Sequence, residues 1–192
     1  MKTTDILSRQ IERCQEGDRK ALVWLLEEYG PKLWPYFLRA CWMEADAEDL
    51  LQELFVKLLE NIKGYRHEGK FEHWLFRIAA NLVRDRARRA KSNRPAQAKQ
   101  YILENNPQAF ELVSKERDPS QDLLQAEQID QLREALVQLP AIDREIILLR
   151  HYGGMSFKEL ADQFEMPIGT VLAKVHRGLK RLHKVMTEHA TQ

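Results

Sequence analysis

The spacing of apolar residues is the feature that most restricts what this chain can fold into. In residues 46–63, large apolar side chains recur every three or four positions, which is the period of an amphipathic helix. Residues 18–29, 71–82, 123–139 and 141–152 show the same period, and no segment alternates as a strand would. Only 8 glycines and 7 prolines interrupt the 192 residues. The sequence therefore predicts an all-α fold.

Local signals divide these helices into two groups. Asp18 is a candidate N-cap for the helix over 18–29, and Gly30-Pro31 predicts a break before a second helix over 32–43. The least periodic stretch, which contains several Asn and Pro residues, predicts a linker at 93–121 with one short helix near 108–116. Because so long a loop is unusual inside a compact domain, we expect two small helical domains joined by a flexible linker. Their predicted bounds are 1–92 and 122–192.

What the sequence lacks disfavours several classes of protein. No apolar run reaches the roughly 18 residues of a membrane span, and the acidic residues near the N-terminus are unlike a secretory signal. Cys14 and Cys41 are far apart and the six histidines are scattered, so we expect no metal site and a cytoplasmic location. No phosphate-binding loop, dinucleotide-binding, HExxH or GxSxG motif occurs. We therefore expect neither an enzyme nor a cofactor.

The net charge of +1 conceals strongly charged segments of both signs. Residues 84–94 hold six bases and one acid, and residues 168–186 hold five bases and no acid. Residues 44–60 hold six acids and one base, and residues 96–130 hold seven acids and three bases. Two basic helices separated by an acidic stretch could bind a nucleic acid at two places.

The last third of the chain predicts a helix-turn-helix. Residues 156–164 form an amphipathic pattern that opens with Ser156 as N-cap and Glu159 at the capping-box position. A short turn, Glu165 to Pro167, leads into a second, basic helix that starts near Ile168. This order of a short helix, a tight turn and a basic helix is typical of DNA-binding modules.

The second of these helices has two distinct faces. Val171, Val175, Gly178 and Leu182 recur as a core stripe, with the glycine where two helices could cross closely. A basic helix face is often only a solvated surface, but the capped helix and turn before it favour reading of duplex DNA. The candidate DNA-facing residues are Thr170, Ala173, Lys174, Arg177 and Arg181.

Aromatic and basic residues alternate around residues 64–89, a composition that suits single-stranded DNA. Phe71 and Trp74 share the apolar face of the helix there, so we expect both in the core. Tyr65 and His67 lie in a loop flanked by glycines, and we expect them to be exposed. The candidate contacts to single-stranded DNA are Tyr65, Arg66, His67 and Lys70 in the loop and Asn81, Arg84 and Arg88 on the helix.

An acidic cluster opens the helix over 46–63. Its members are Asp46, Asp49, Gln52 and Glu53. Acids at a helix N-terminus interact favourably with the helix dipole, but this cluster exceeds what capping requires. We therefore expect it to bind a basic protein surface, since nothing nearby supports acid–base or metal chemistry.

Four segments stand in an order that is characteristic of one protein family. GDRKALVWLLEEYGPKLW (17–34) is similar to that family's first conserved helix, and DAEDLLQELFVKLLENIKGY (46–65) is similar to its polymerase-binding helix. FEHWLFRIAANLVRDRARR (71–89) looks like its helix that binds the promoter −10 element, and residues 139–182 look like its −35-binding helix-turn-helix. The chain thus resembles the extracytoplasmic-function (ECF) branch of the sigma-70 family of bacterial RNA polymerase sigma factors.

The resemblance implies a transcription initiation factor that binds core RNA polymerase and directs it to specific promoters. By that resemblance, Asp49, Gln52 and Glu53 would meet the clamp coiled coil of the largest polymerase subunit, and the flap would be a second polymerase contact. The loop at 65–70 would hold the melted −10 strand, and the second helix of the helix-turn-helix would read the −35 duplex. The acidic linker would follow the RNA-exit path, and an anti-sigma factor would regulate the protein.

One departure from the family leaves an alternative open. Where the family commonly has a basic residue, a serine and an arginine after the GTV run, this chain has Leu172, Ala173 and Lys174. Leu179 also replaces a common basic residue. Fewer cations would weaken phosphate attraction, so a sigma-like module that sequesters an anti-sigma factor without binding DNA is the alternative. A helix-turn-helix regulator that acts without polymerase is a further one, but it leaves the acidic helix unexplained.

Overall fold

The chain divides into two compact units, Met1–Lys115 and Glu116–Gln192. The computed structural model describes residues 3–41, 43–91 and 131–189. Every regular element within these ranges is helical, which confirms the predicted all-α class. The predicted linker at 93–121, its short helix near 108–116 and the beginning of the 123–139 pattern lie outside the described residues.

Within the described residues, four α-helices build the first unit. They are α1 (Thr3–Gln15), α2 (Arg19–Cys41), α3 (Glu44–Asn61) and α4 (Phe71–Lys91), with a short 3₁₀ helix (Ile62–Gly64) after α3. The apolar stripes of α2, α3 and α4 meet in one core, whose largest fully buried side chains include Tyr36, Phe37, Leu54, Phe71 and Phe76. Tyr36 packs edge-to-face on Phe76 of α4, with ring centroids 5.4 Å apart. Leu59 is one of the apolar residues of the periodic segment 46–63, from which a buried position is expected, but it is 45% exposed.

Helix α2 runs unbroken through two prolines, so the predicted break at Gly30-Pro31 is wrong. Each proline removes one backbone donor, but Pro31 and Pro35 are four residues apart and so lie on the same side of the helix. The opposite side carries Leu33, Tyr36 and Phe37, all fully buried. The free energy gained by burying these side chains outweighs the loss of two hydrogen bonds. A prediction based only on the positions of glycine and proline does not include this gain.

The first helix, α1, was not predicted from the sequence. Its buried contacts come mainly from Ile11 and Cys14, spaced three apart, which is too short a stripe to stand out. The predicted N-cap after it is confirmed, since the Asp18 carboxylate accepts from the backbone N–H of Lys20 at 2.8 Å. The same carboxylate pairs with Arg13 of α1 at 2.6 Å and so ties the two helices together.

The described part of the second unit contains three complete helices and a preceding helical segment at 131–137. They are α5 (Ala141–Tyr152), α6 (Phe157–Gln163) and α7 (Ile168–His189). Its core is formed by buried side chains such as Leu136, Ile146, Leu149, Leu160 and Val171. The predicted separation at Pro140 is confirmed, because Pro140 immediately precedes α5.

Helix α7 packs tightly on α5 at Gly178. A Cβ atom placed on this glycine would lie 2.5 Å from Cδ1 of Ile147. Val171, Val175 and Leu182 are buried around the same crossing. The predicted core stripe of α7, including the small residue at the crossing, is therefore confirmed.

Candidate nucleic-acid and protein interfaces

The helix-turn-helix of the second unit is fixed by local hydrogen bonds. The Ser156 hydroxyl accepts from the backbone N–H of Glu159 at 3.2 Å, and the Glu159 carboxylate accepts from the backbone N–H of Ser156 at 2.9 Å. This is the capping box that the sequence predicted. Between α6 and α7, Glu165 adopts a left-handed conformation with φ of 52°, which turns the chain into α7. The turn therefore sets the direction in which α7 leaves α6.

One side of α7 presents hydrogen-bond donors to solvent. Thr170, Arg177 and Arg181 are exposed, and Ala173 beside them is half-buried. These positions repeat every three or four residues and lie away from the buried stripe of the same helix. Long donors next to a small side chain are what a helix needs to enter the major groove of a duplex.

Lys174 does not belong to that exposed group, in contrast to its predicted place on the DNA-facing side. Its ammonium nitrogen lies 2.7 Å from Oδ1 of Asp143 on α5. The exposed fractions of the two side chains are 19% and 10%. The helix dipole also stabilises the charge of Asp143, because this residue lies in the first turn of α5. The sequence pattern missed this pair because the two residues are 31 positions apart.

A different side of α7 exposes apolar side chains. Ile168, Leu172 and Leu179 are 49%, 43% and 51% exposed. Two of these residues are the departures from the family pattern that the sequence showed. Their exposure rules out a role in the core of this unit and leaves an apolar surface beside basic residues.

Tyr65 and His67, expected to be exposed, are both half-buried. The Tyr65 ring packs against Trp74, with centroids 4.5 Å apart, and edge-on against Phe71 at 5.5 Å. Burial, together with the nearby charge of Glu68, raises the pKa of the Tyr65 hydroxyl. The flanking Arg66 and Lys70 are exposed. The loop is thus anchored by its aromatic residue and presents its cations outward.

Helix α4 completes the basic surface of the first unit. Phe71 is fully buried as predicted, whereas Trp74 is only half-buried under Tyr65. Asn81 is exposed and accepts from Arg84 at 3.1 Å, and Arg88 is 76% exposed and pairs with Asp85. The predicted row of polar side chains is therefore present on one side of α4.

The acidic cluster of α3 faces two arginines of α4 that the sequence had not placed at a site. Asp46 pairs with Arg86, and Asp49 lies 3.9 Å from the same guanidinium. Glu53 lies 3.7 Å from a nitrogen of Arg89. Gln52 is half-buried next to them. All three carboxylates remain partly open to solvent, with exposed fractions between 23% and 40%, so the internal pairing leaves them able to meet a further basic surface.

Two negative findings apply to the part of the chain that the structure describes. No group of three or more His, Cys, Asp or Glu side chains there is arranged to hold a metal ion. In the same residues, no helix is both long enough and apolar enough to cross a membrane.

The two units match two conserved regions of one family. Residues 25–93 match Sigma-70 region 2, and residues 129–182 match Sigma-70 region 4. Over 183 residues the chain is 27% identical to the ECF RNA polymerase sigma factor SigW of Bacillus subtilis (strain 168), covering 95% of this chain and 98% of that protein. It is 29% identical over 168 residues to the ECF RNA polymerase sigma-E factor of Escherichia coli (strain K12), covering 87% of each.

Solved structures share the fold. CnrH, in complex with the cytosolic domain of CnrY, gives a TM-score of 0.61 at 22% identity and covers 93% of this chain and 96% of that one. The sigma factor RpoE from Bartonella quintana, in complex with the anti-sigma factor NepR, gives 0.60 at 21% identity, with 88% and 96% covered.

The helical fold, its helix-turn-helix unit and the two matched regions together define a transcription initiation factor of the sigma type. The chain belongs to the sigma-70 family of RNA polymerase sigma factors, in its ECF branch, as the sequence resemblance indicated. Sigma factors bind RNA polymerase and promoters and have no enzymatic activity of their own.

Proposed function

We propose that this chain directs core RNA polymerase to specific promoters by reading the −35 duplex with α7 and the melted −10 strand with α4 and the loop before it. The observation that carries the proposal is the solvent-facing set of donors on α7, held in place by a capped helix-turn-helix. In this assignment residues 1–92 are the unit that binds polymerase and the −10 strand, residues 93–121 the linker, and residues 122–192 the −35 unit.

Contact with the −35 duplex falls to Thr170, Ala173, Arg177 and Arg181. The two arginines are long enough to reach base edges or phosphates, and the short side chains let the backbone approach the groove. Lys174 is left out of this set because Asp143 already holds its ammonium group.

Contact with the melted −10 strand falls to the loop and the polar row of α4. Arg66 and Lys70 offer exposed cations, and Asn81, Arg84 and Arg88 continue that surface along the helix. Tyr65 and Trp74 are half-buried in a stack of their own. An unpaired base could extend that stack, which is how single strands gain affinity from aromatic residues.

Polymerase binding falls to Asp46, Asp49, Gln52 and Glu53 on α3. Carboxylates that are partly open to solvent suit a basic coiled-coil surface such as the polymerase clamp. The flap is the second polymerase contact by family analogy. Because its partner enzyme works in the cytoplasm, we place the protein there too.

Regulation by an anti-sigma factor is part of the proposal. The structurally similar RpoE was solved with the anti-sigma factor NepR. The exposed Leu172 and Leu179 also favour the second candidate function, a sigma-like module that binds an anti-sigma factor and no DNA.

One experiment separates these functions. Purified chain is mixed with core polymerase, the complex is isolated, and run-off transcripts are collected from a pooled promoter library. Sequence-selective transcripts support the initiation factor and reveal its −35 and −10 motifs. A stable complex without transcripts supports the sequestering module, and duplex binding without any polymerase complex supports a separate regulator.

A further inference from the structure

A buried ion pair joins the start of α5 to the middle of the DNA-facing helix. Lys174 of α7 donates to the carboxylate of Asp143 at 2.7 Å, and both side chains are largely shielded from water. Asp143 is the only charged residue that is buried among the described residues, with 7% of its surface exposed. A pair in such a position either stabilises the unit or controls what Lys174 can touch.

The position of Lys174 on α7 favours the second role, control of what Lys174 can touch. Lys174 is three residues before Arg177 and seven before Arg181, so its Cα lies at the edge of the same helical side. Those two arginines are exposed, whereas Lys174 is 19% exposed with its ammonium turned to α5. A lysine side chain is long and flexible, and without an internal partner its charge would move to solvent or to a phosphate.

We propose that Asp143 is a specificity-determining residue that keeps Lys174 away from the DNA backbone. Phosphate contacts add affinity for every sequence alike, whereas base contacts discriminate between sequences. By holding Lys174, Asp143 limits the sequence-independent share of the binding and leaves recognition to Thr170, Arg177 and Arg181. This inference rests on the proposed reading of the −35 duplex by α7.

The test uses holoenzyme assembled from core polymerase and the full chain, with duplexes that carry the selected −35 motif or a scrambled one. Affinity is measured between 50 and 200 mM KCl. In Asp143→Asn the ammonium group of Lys174 is released and can reach a phosphate. The slope of log affinity against log salt concentration should then become steeper by about 0.9, which is about a 3.5-fold larger loss of affinity between the lowest and highest salt. Binding to the scrambled duplex should rise, so the ratio between the two duplexes should fall.

Lys174→Met removes the cation of the pair instead of the carboxylate. It tests the proposal independently of whether Asp143→Asn folds. Since the proposal holds that Lys174 touches no DNA in the parent, this variant should keep the parental salt slope and ratio. A slope reduced by about 0.9 would show that Lys174 already neutralises a phosphate, and would overturn the proposal. In the double variant Asp143→Asn/Lys174→Met, the effect of the first substitution should disappear.

The matched control is Asp162→Asn, which removes an exposed carboxylate charge from the same unit. If it steepens the slope as much as Asp143→Asn, net charge explains the effect and the proposal fails. A merely structural role for Asp143 would lower the thermal midpoint but leave slope and ratio unchanged, which would also overturn it. If the parent holoenzyme does not distinguish the two duplexes, the proposed function itself falls and this inference with it.

Discussion

The side-chain amide of Gln15 donates to two backbone carbonyls from one nitrogen, to Tyr65 at 2.7 Å and to Ile62 at 2.9 Å. Gln15 is the last residue of α1, and its acceptors lie about fifty positions further along the chain, at the base of the proposed −10 loop. The otherwise unassigned first helix therefore holds that loop against the end of α3.

Gln15→Ala should loosen the loop without unfolding the unit. Two hydrogen bonds at about 1 kcal/mol each predict a stability loss of about 1–2 kcal/mol. Because the stack of Tyr65 on Trp74 starts from this anchor, promoter opening should fall more than polymerase binding does. Thermal unfolding and permanganate footprinting of the melted strand measure the two effects. Glu12→Ala, at an exposed position of the same helix, should change neither, and equal opening by Gln15→Ala and the parent would contradict the assignment.

Substitutions at Gly178 should depend steeply on side-chain size. A Cβ here meets the flexible end of the Ile147 side chain, which can rotate away, so Gly178→Ala should be tolerated. Gly178→Val adds branched atoms at the crossing and should cost about 1–3 kcal/mol through overpacking. Gly169→Ala on the same helix meets no atom within 4 Å and should stabilise by up to about 1 kcal/mol. Denaturant unfolding compares the three, and a neutral Gly178→Val would refute the close crossing.

Reversal of charge at Asp49 should weaken the complex with core polymerase. Asp49→Arg places a cation against a basic partner and beside Arg86, so affinity should fall about tenfold or more, which corresponds to about 1.4 kcal/mol. Helix content should remain, since the side chain is 40% exposed. Glu60→Arg makes the same change in charge at the far end of α3, where the side chain is 53% exposed. It should leave affinity near the parental value, and an equal loss in both variants would point to a general charge effect.

Arg177→Ala distinguishes base reading from phosphate contact. If the guanidinium reaches a base edge, binding should weaken by about 1–3 kcal/mol and preference should relax at one position of the −35 motif. If it reaches only a phosphate, all sequences should weaken alike and the salt slope should fall by about one. Affinity selections with randomised −35 duplexes reveal which occurs. Unchanged affinity and preference would remove Arg177 from the proposed interface.

Cys14 should react slowly with alkylating reagents. Burial raises the pKa of its thiol, and the charge of Asp18 raises it further, so the reactive thiolate is scarce near neutral pH. The pKa of this thiol is raised only in the folded state. The protonated thiol therefore contributes to the free energy of unfolding below the ordinary thiol pKa, and this contribution is lost as the pH rises through the raised pKa of the folded protein. Time-resolved labelling followed by mass spectrometry should show Cys14 reacting only at high pH or on unfolding. Rapid labelling at neutral pH in the folded protein would contradict the burial.

Helix type, the helix-turn-helix and the core stripe of α7 followed from the sequence because they depend on neighbours three or four residues apart. The Ser156–Glu159 capping box and the small residue at Gly178 are such local features, and both stand in the structure as expected. The order of four family motifs also depends only on sequence, and it already indicated the ECF sigma factors.

Contacts between distant residues needed the tertiary structure. The burial of Lys174 against Asp143, the pairing of Asp46 with Arg86 and the anchoring of the Tyr65 backbone by Gln15 each join residues at least 31 positions apart. A helical period tells which residues share a side of one helix, but not which charged group of another helix lies opposite. Only the packing of the helices decides whether a cation such as Lys174 faces a carboxylate or the solvent, and therefore whether it is available to DNA.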